Sequence, residues 1–242
     1  MKTNGVISNN IDERFQHSAP VQEMLEKAAI LQRDGTYAIA PHTPGGMIDP
    51  ELLIKIAGVS QKYNCRIKLT SSQRIAIIGL KQDDIEAAWR ELGVEPKAAY
   101  GLCVRSVKFC PGTTFCKRGQ QDAVGLGMEI DRRYYGMALP SKFKIDVSGC
   151  PNKCMDTMLI DFGVMGTPKG FTLFVGGNGG MNPRFGEKLA EHQTGDQVLD
   201  ILDRTFDYYK KEARTNERLG RFIDRVGFDQ YRQVVLKQKT VH

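Results

Sequence analysis

The chain is poor in the residues that announce many catalytic and scaffold chemistries. It has one tryptophan, four histidines and six cysteines among 242 residues. Six cysteines fall far below the density of a disulfide-stapled secreted scaffold. The histidines, at positions 17, 42, 192 and 242, are nowhere paired at metal-ligand spacing, and no Ser-His-Asp arrangement can be argued around them. The first twenty residues are polar, with no apolar run of signal-peptide type, and no stretch approaches the length of a membrane span. There is no arginine-rich block and no aromatic stacking motif, which leaves a zinc-bound nucleic-acid module with little support. No flavin or nicotinamide fingerprint is present. The run Gly176-Gly177-Asn178-Gly179-Gly180 lacks the lysine and helix start of a P-loop and reads as a turn. Neither a strong internal repeat nor a low-complexity segment is seen. These absences lead us to expect a protein of a reducing, cytoplasmic compartment, with no membrane and no nucleic-acid partner.

What is there is ordinary in bulk and unusual in one place. The apolar and charged fractions, 41% and 26%, are those of a soluble globular chain long enough for one large domain or two small ones. Basic residues exceed acidic ones, 34 to 28, an excess that a small anion or a polyanionic cofactor explains as well as a nucleic acid does. The unusual place is a set of four cysteines in two short pairs, Cys110-Pro-Gly-Thr-Thr-Phe-Cys116 and Cys150-Pro-Asn-Lys-Cys154. Thiolates hold iron–sulfur clusters, and a cubane of four irons takes four of them. Pro111, Gly112, Gly149 and Pro151 supply the restricted, tight backbone of ligand loops. Structural zinc is the main rival, although the five residues between Cys110 and Cys116 exceed the usual spacing in a zinc pair. Unrelated buried thiols are the remaining alternative. Cys65 and Cys103 have no close partner and read as small buried hydrophobes.

Periodicity organises the rest. Residues 1–35 read as a polar arm and a short amphipathic helix carrying Val21, Met24, Leu25 and Ala28, with Gly35 as its stop. A strand at Tyr37–Ala40 runs into the turn His42-Thr43-Pro44-Gly45-Gly46. A helix capped by Asp49 follows, with Leu53, Ile56, Ala57 and Ser60 as its inner stripe. Arg66–Leu80 reads as one long strand-like stretch, and a second helix buries Ile85, Ala88, Trp89 and Leu92 before Gly93. This pattern predicts a ferredoxin-like α/β sandwich over residues 36–98. Residues 99–242 read as a mixed α/β domain: a helix after the first cysteine loop, strands at Phe143–Val147, Leu159–Met165 and Phe171–Val175, and a helical C-terminus. The fold class expected is α+β.

Strand alternation through Leu139-Pro140-Ser141-Lys142-Phe143-Lys144-Ile145-Asp146-Val147 puts Lys142 and Lys144 on one face, a few residues before Cys150. Two parallel ammonium groups beside a redox site suggest an anion pocket; an exposed strand face with two lysines is the plain alternative. Arg105, Lys108, Lys117 and Arg118 flank the first cysteine loop. Cations there bind anions or raise a cluster's potential, whereas Lys117 and Arg118 fit a solvated basic surface better.

Taken together, these motifs resemble the siroheme-containing nitrite and sulfite reductases, in particular their small single-repeat members. The pattern C-x5-C followed by G-C-P-N-x-C is similar to that family's cluster signature. Pro44-Gly45-Gly46, Leu69-Thr70-Ser71-Ser72-Gln73, Arg105, Leu139–Lys144 and Asp161-Phe162-Gly163-Val164-Met165-Gly166 resemble its further elements, in the family's order. The resemblance implies a 4Fe-4S cluster on Cys110, Cys116, Cys150 and Cys154, with the Cys154 thiolate shared with siroheme iron. It implies siroheme contacts from Thr70, Gln73, Arg74, Asn152 and Lys153. Lys142, Lys144 and Arg105 would hold sulfite or nitrite, with His42 as proton donor or part-time cation. An external donor such as a ferredoxin would supply electrons, and a homodimer would rebuild the two-repeat arrangement of larger members. His42 and Ser72 stand where the family carries arginines, and Arg74 lies two places further along. That departure keeps open a second reading, a non-catalytic electron-transfer or cofactor-carrying subunit.

Overall fold

The computed structural model describes residues 27–97 and 100–237. These divide into two compact units. The first comprises 27–42, 49–70 and 75–97. The second takes in 100–237 together with the two short segments 43–48 and 71–74, so both of those turns pack with the cysteine-bearing unit.

In the first unit, β1 (Ala29–Leu31), β2 (Tyr37–Ile39), β3 (Arg66–Leu69) and β4 (Ile75–Leu80) form an antiparallel sheet in the order β1-β2-β4-β3. Helices α1 (Pro50–Lys62) and α2 (Ile85–Leu92) complete the ferredoxin-like half-domain. Four details differ from expectation. The N-terminal helix falls almost wholly outside the described residues. Its last member, Ala28, sits in a turn with φ 53°, and β1 follows at once. Gly35 closes the β1–β2 hairpin, donating to Gln32 O at 3.2 Å, rather than stopping a helix. The stretch 66–80 is two strands, because residues 71–74 leave the sheet to join the second unit. The stripe of α1 is rotated: Ile56, Val59 and Ser60 are buried, while Leu53 and Ala57 are exposed. In α2 the four expected residues are all buried.

The second unit is built on the sheet β5-β6-β7-β8-β9. Its strands are β5 (Lys108–Phe109), β6 (Ile145–Ser148), β7 (Phe162–Thr167), β8 (Gly170–Val175) and β9 (Glu187–Gln193). The pairs β5–β6 and β6–β7 are parallel and the rest antiparallel. Strand β6 is therefore central and buried on both faces, which explains its unbroken burial. The one-turn helix α3 (Gly112–Phe115) lies inside the first cysteine loop, and α4 (Ala123–Tyr134) follows it. The C-terminal helices are α5 (Gly195–Glu212), α6 (Leu219–Val226) and α7 (Phe228–Leu236). Thr194 and Gln197 form a capping box on α5. The expected strand at 159–165 begins only at Phe162, because residues 159–161 bend. Strand β9 went unforeseen: Glu-Lys-Leu-Ala-Glu-His-Gln is polar because it is an edge strand with only one neighbour.

The strand expected at Phe143–Val147 begins only at Ile145, so Lys142 and Lys144 lie in the segment leading into β6, with Phe143 in an isolated bridge to Val104, and the core of this unit fixes that segment. Phe143 is fully buried, and its ring meets Phe206 edge-on at 5.1 Å and Tyr209 at 6.0 Å. Burying such a ring is worth about 2–3 kcal/mol. Alternation then leaves Lys142 and Lys144 exposed on the opposite face.

Candidate functional site

The two cysteine loops are built into one another. Cys110 N–H donates to Val147 O at 3.0 Å, extending the β5–β6 pairing to the first ligand. Gly149 N–H donates to Cys110 Sγ at 3.0 Å, and Gln120 and Gln121 both donate to Gly149 O. The approach is close enough to require glycine, since a Cβ on Gly149 would lie 2.6 Å from Gly112 Cα. Cys110 and Cys150 are buried and Cys116 and Cys154 exposed; all four are free thiols.

Among the described residues no three of His, Cys, Asp or Glu converge closely enough for a single metal ion. Four free thiols on two interlocked loops are the donor set that a four-iron cubane takes. An N–H aimed at a cysteine sulfur is also a feature that stabilises and tunes such clusters.

Beside these loops the structure gathers three of the expected substrate cations. Val104 bridges Phe143 in parallel fashion, and Arg105 N–H donates to Phe143 O at 2.8 Å, between Lys142 and Lys144 in sequence. The Arg105 guanidinium stacks over Tyr100 at 5.1 Å and donates to Gly101 O at 3.0 Å. Lys144 is exposed by area, yet desolvation pulls its pKa below the ordinary lysine value, with Arg218 and Lys142 adding like-charge repulsion.

Two carboxylates that sequence reasoning missed hold this strand. Asp161 is fully buried, forked by Arg218 at 2.9 and 2.7 Å, and accepts Lys144 N–H at 2.9 Å. Burial raises its pKa, against the pull of Arg218. Asp146, also fully buried, accepts from Lys108 at 3.3 Å and from Asp156 N–H at 3.1 Å. Burial pushes its pKa up to about 6, despite Lys108. Lys108 bonds Asp156 as well, at 2.7 Å. Burial works against the Lys108 charge, but Asp146 and Asp156 outweigh it and raise its pKa.

His42 and Thr70 belong to the first unit. Arg74 bonds Tyr135, and burial lowers its pKa. The Gln73 amide lies against the backbone of Phe109. Asn152 is exposed, while Lys153, in the left-handed region at φ 47°, places its ammonium 6.0 Å over the Phe174 ring. Lys117 and Arg118 are exposed.

With this geometry in place, comparison with known proteins is informative. Residues 100–242 match the nitrite and sulphite reductase 4Fe-4S domain, and residues 30–94 match the nitrite/sulfite reductase ferredoxin-like half domain. The chain belongs to the nitrite and sulphite reductase family. It is 42% identical over 212 residues to the assimilatory-type sulfite reductase of Nitratidesulfovibrio vulgaris, covering 87% of this chain and 97% of that one. It is 38% identical over 216 residues to the large subunit of the NADH nitrite reductase of Escherichia coli; there it spans 87% of itself but only 26% of the relative. The structure of Mycobacterium tuberculosis NirA protein shares the fold at a TM-score of 0.72 and 22% identity, over 83% of this chain and 40% of the other. Among the described residues no helix is long and apolar enough to cross a membrane.

Proposed function

We propose that the chain is an oxidoreductase that reduces a small oxyanion, sulfite to sulfide or nitrite to ammonia, with a 4Fe-4S cluster and siroheme as its cofactors. The observation that carries this reading is the backbone pairing of Arg105 with Phe143, between Lys142 and Lys144, in the segment that leads through β6 to Cys150. Cys110, Cys116, Cys150 and Cys154 would hold the cluster. Thr70, Arg74, Asn152 and Lys153 are the candidates for siroheme contacts. When bound, the coupled cofactors supply electrons to the anion.

The protein's own part is charge, placement and protons. Lys144 is crowded by Lys142 and Arg218, so an anion arriving between them removes repulsion as well as adding attraction. Its lowered pKa makes the Lys144 Nζ proton easier to release as oxygen leaves the anion as water. Arg105, whose guanidinium is braced on Tyr100 and Gly101, serves as a fixed clamp. Asp161 holds Lys144 by its backbone, leaving the ammonium free to move.

Electrons come from a separate donor such as a ferredoxin, the active form is a homodimer, and the protein works in the cytoplasm. Gel filtration or scattering showing only monomer at micromolar concentration would refute the dimer. The central test uses protein purified without oxygen. Lys142→Ala with Lys144→Ala is expected to keep iron, sulfide and pigment content while abolishing sulfite- or nitrite-dependent oxidation of a reduced dye. Undiminished turnover would remove the lysines from the substrate site. Wild-type protein carrying cluster iron but no tetrapyrrole, from a siroheme-competent host, would favour the electron-transfer reading that His42 and Ser72 keep open.

A further inference from the structure

Gln73 stands in the element whose family resemblance suggests a tetrapyrrole contact, but its amide is committed elsewhere. Its Oε1 accepts Phe109 N–H at 3.0 Å, and its Nε2 donates to Phe109 O at 3.1 Å. The same Nε2 lies 3.6 Å from Met155 Sδ. A side-chain amide has two N–H donors, and here they face Phe109 O and Met155 Sδ. A cofactor carboxylate would need one of them.

The placement of those partners gives the arrangement its meaning. Phe109 immediately precedes Cys110, and Met155 immediately follows Cys154. The Gln73 amide thus pairs with the outer end of β5 as a further strand would, while reaching across to the second cysteine loop. Its backbone is held in the left-handed region at φ 57°, unfavourable for a residue with a side chain, so the surroundings must enforce it. Thr43 Oγ1 does so in part, donating to Gln73 O at 3.2 Å. The Phe109 ring is fixed from two sides: a Cβ on Gly45 would come within 2.1 Å of it, and one on Gly127 within 2.3 Å.

We propose that Gln73 is a positioning residue for the iron–sulfur cluster, its amide clamping the backbone beside Cys110 and touching the residue after Cys154, and that it is not a tetrapyrrole ligand. This rests on the cluster assignment above. Asparagine at 73 keeps the amide and tolerates a left-handed backbone but is one methylene too short to reach Phe109. Glutamate keeps the length but replaces the donor facing Phe109 O with an acceptor. Each loses the clamp by a different route.

The experiment compares Q73N, Q73E and the milder T43A with wild type, as anaerobically purified holoprotein. Three quantities are read: iron release to a ferrous chelator, the electron paramagnetic resonance spectrum of the reduced cluster, and tetrapyrrole per cluster. Loss of the clamp's hydrogen bonds is expected to speed iron release roughly tenfold in Q73N and Q73E. Both should also alter the cluster spectrum, with T43A intermediate and tetrapyrrole per cluster unchanged. A fall in tetrapyrrole per cluster with unaltered iron release would make Gln73 a cofactor ligand and overturn the proposal. A lower melting temperature with unaltered spectrum and release would reduce it to a fold contact and also overturn it. If Q73N and Q73E fail to fold, T43A decides alone, a wild-type spectrum and release rate counting against the clamp. Wild-type protein containing zinc in place of iron would sink the cluster assignment itself, a failure visible before any variant is made.

Discussion

Asp146 offers the sharpest quantitative test of the electrostatics beneath the lysine face. It follows Lys144 by two residues on β6, is wholly buried, and has one oxygen, Oδ1, without a hydrogen-bond partner among the described residues. The charged groups that face it are Lys108 on β5 and Asp156 after the second cysteine loop. Its pKa is raised from 3.8 to about 6, burial being the largest cause. A carboxyl whose folded pKa is raised binds its proton more tightly in the native state than in the unfolded one. Its stabilising contribution is therefore full below the unfolded value and is lost as pH climbs toward the folded value. Between pH 5 and pH 8 the linkage relation gives a loss of about 1.4 kcal/mol from this one group. Asp146→Asn removes the titration while roughly keeping the volume. PH-independent costs of the substitution, such as an amide facing the empty Oδ1 side, cancel when each protein is compared with itself across pH. Wild-type protein should therefore lose roughly 3–5 °C of melting temperature between pH 5 and pH 8 relative to the variant. Both are scanned at one rate without oxygen, since cluster loss makes unfolding irreversible. Parallel pH profiles for the two proteins would show that Asp146 titrates as an ordinary surface carboxyl and that its burial has been misjudged.

Three further outcomes are expected. Arg218→Ala strands the Asp161 carboxylate in a fully buried site, which should cost about 3–5 kcal/mol, read as a large drop in melting temperature. Asp161→Asn with Arg218→Met should be much less harmful than Arg218→Ala alone; equal damage would contradict the pairing argument. Gly149→Ala drives a methyl toward Gly112 Cα, so soluble protein should carry markedly less iron and sulfide than wild type, and full occupancy would show that the loops part easily. Phe143→Ala should destabilise by about 3–5 kcal/mol and lower anion turnover in the surviving folded protein, because the ring holds the lysine strand in register; an unchanged KM and kcat would uncouple the core from the site.

The parts of this protein that were readable from sequence are those whose partners are near in sequence. The cysteine pairs span a few residues each, and the Lys142/Phe143/Lys144 alternation needs only the pleat of a single strand. Helix α2 was legible because its amphipathic stripe is complete and Gly93 closes it in the left-handed region at φ 68°. Where the reading slipped, the deciding interaction was remote. Residues 66–80 carry β-branched side chains at both ends, at Ile67 and Thr70 and again at Ile75, Ile77 and Ile78, yet the strand breaks because 71–74 belong to the other unit. Strand β9 has no apolar alternation of its own and exists because β8 offers it a ladder.

The same locality explains why the supporting residues of the site were invisible while its principal residues were not. Ligand thiols and substrate cations declare themselves by type and spacing. A clamp such as Gln73 on Phe109 joins residues 36 apart, and Arg218 on Asp161 joins residues 57 apart. Nothing in a glutamine or a buried aspartate reports its partner until the fold brings the partner near. The cysteine loops and the lysine segment nonetheless draw on these distant contacts, since Gln73 adds a partner to the two-residue strand β5 and Asp161, held by Arg218, accepts Lys144 N–H. A variant of Gln73 or Arg218 would thus leave every motif residue in place and still disturb the site, and for this family fold, intact motifs alone are not a sufficient criterion of a working centre.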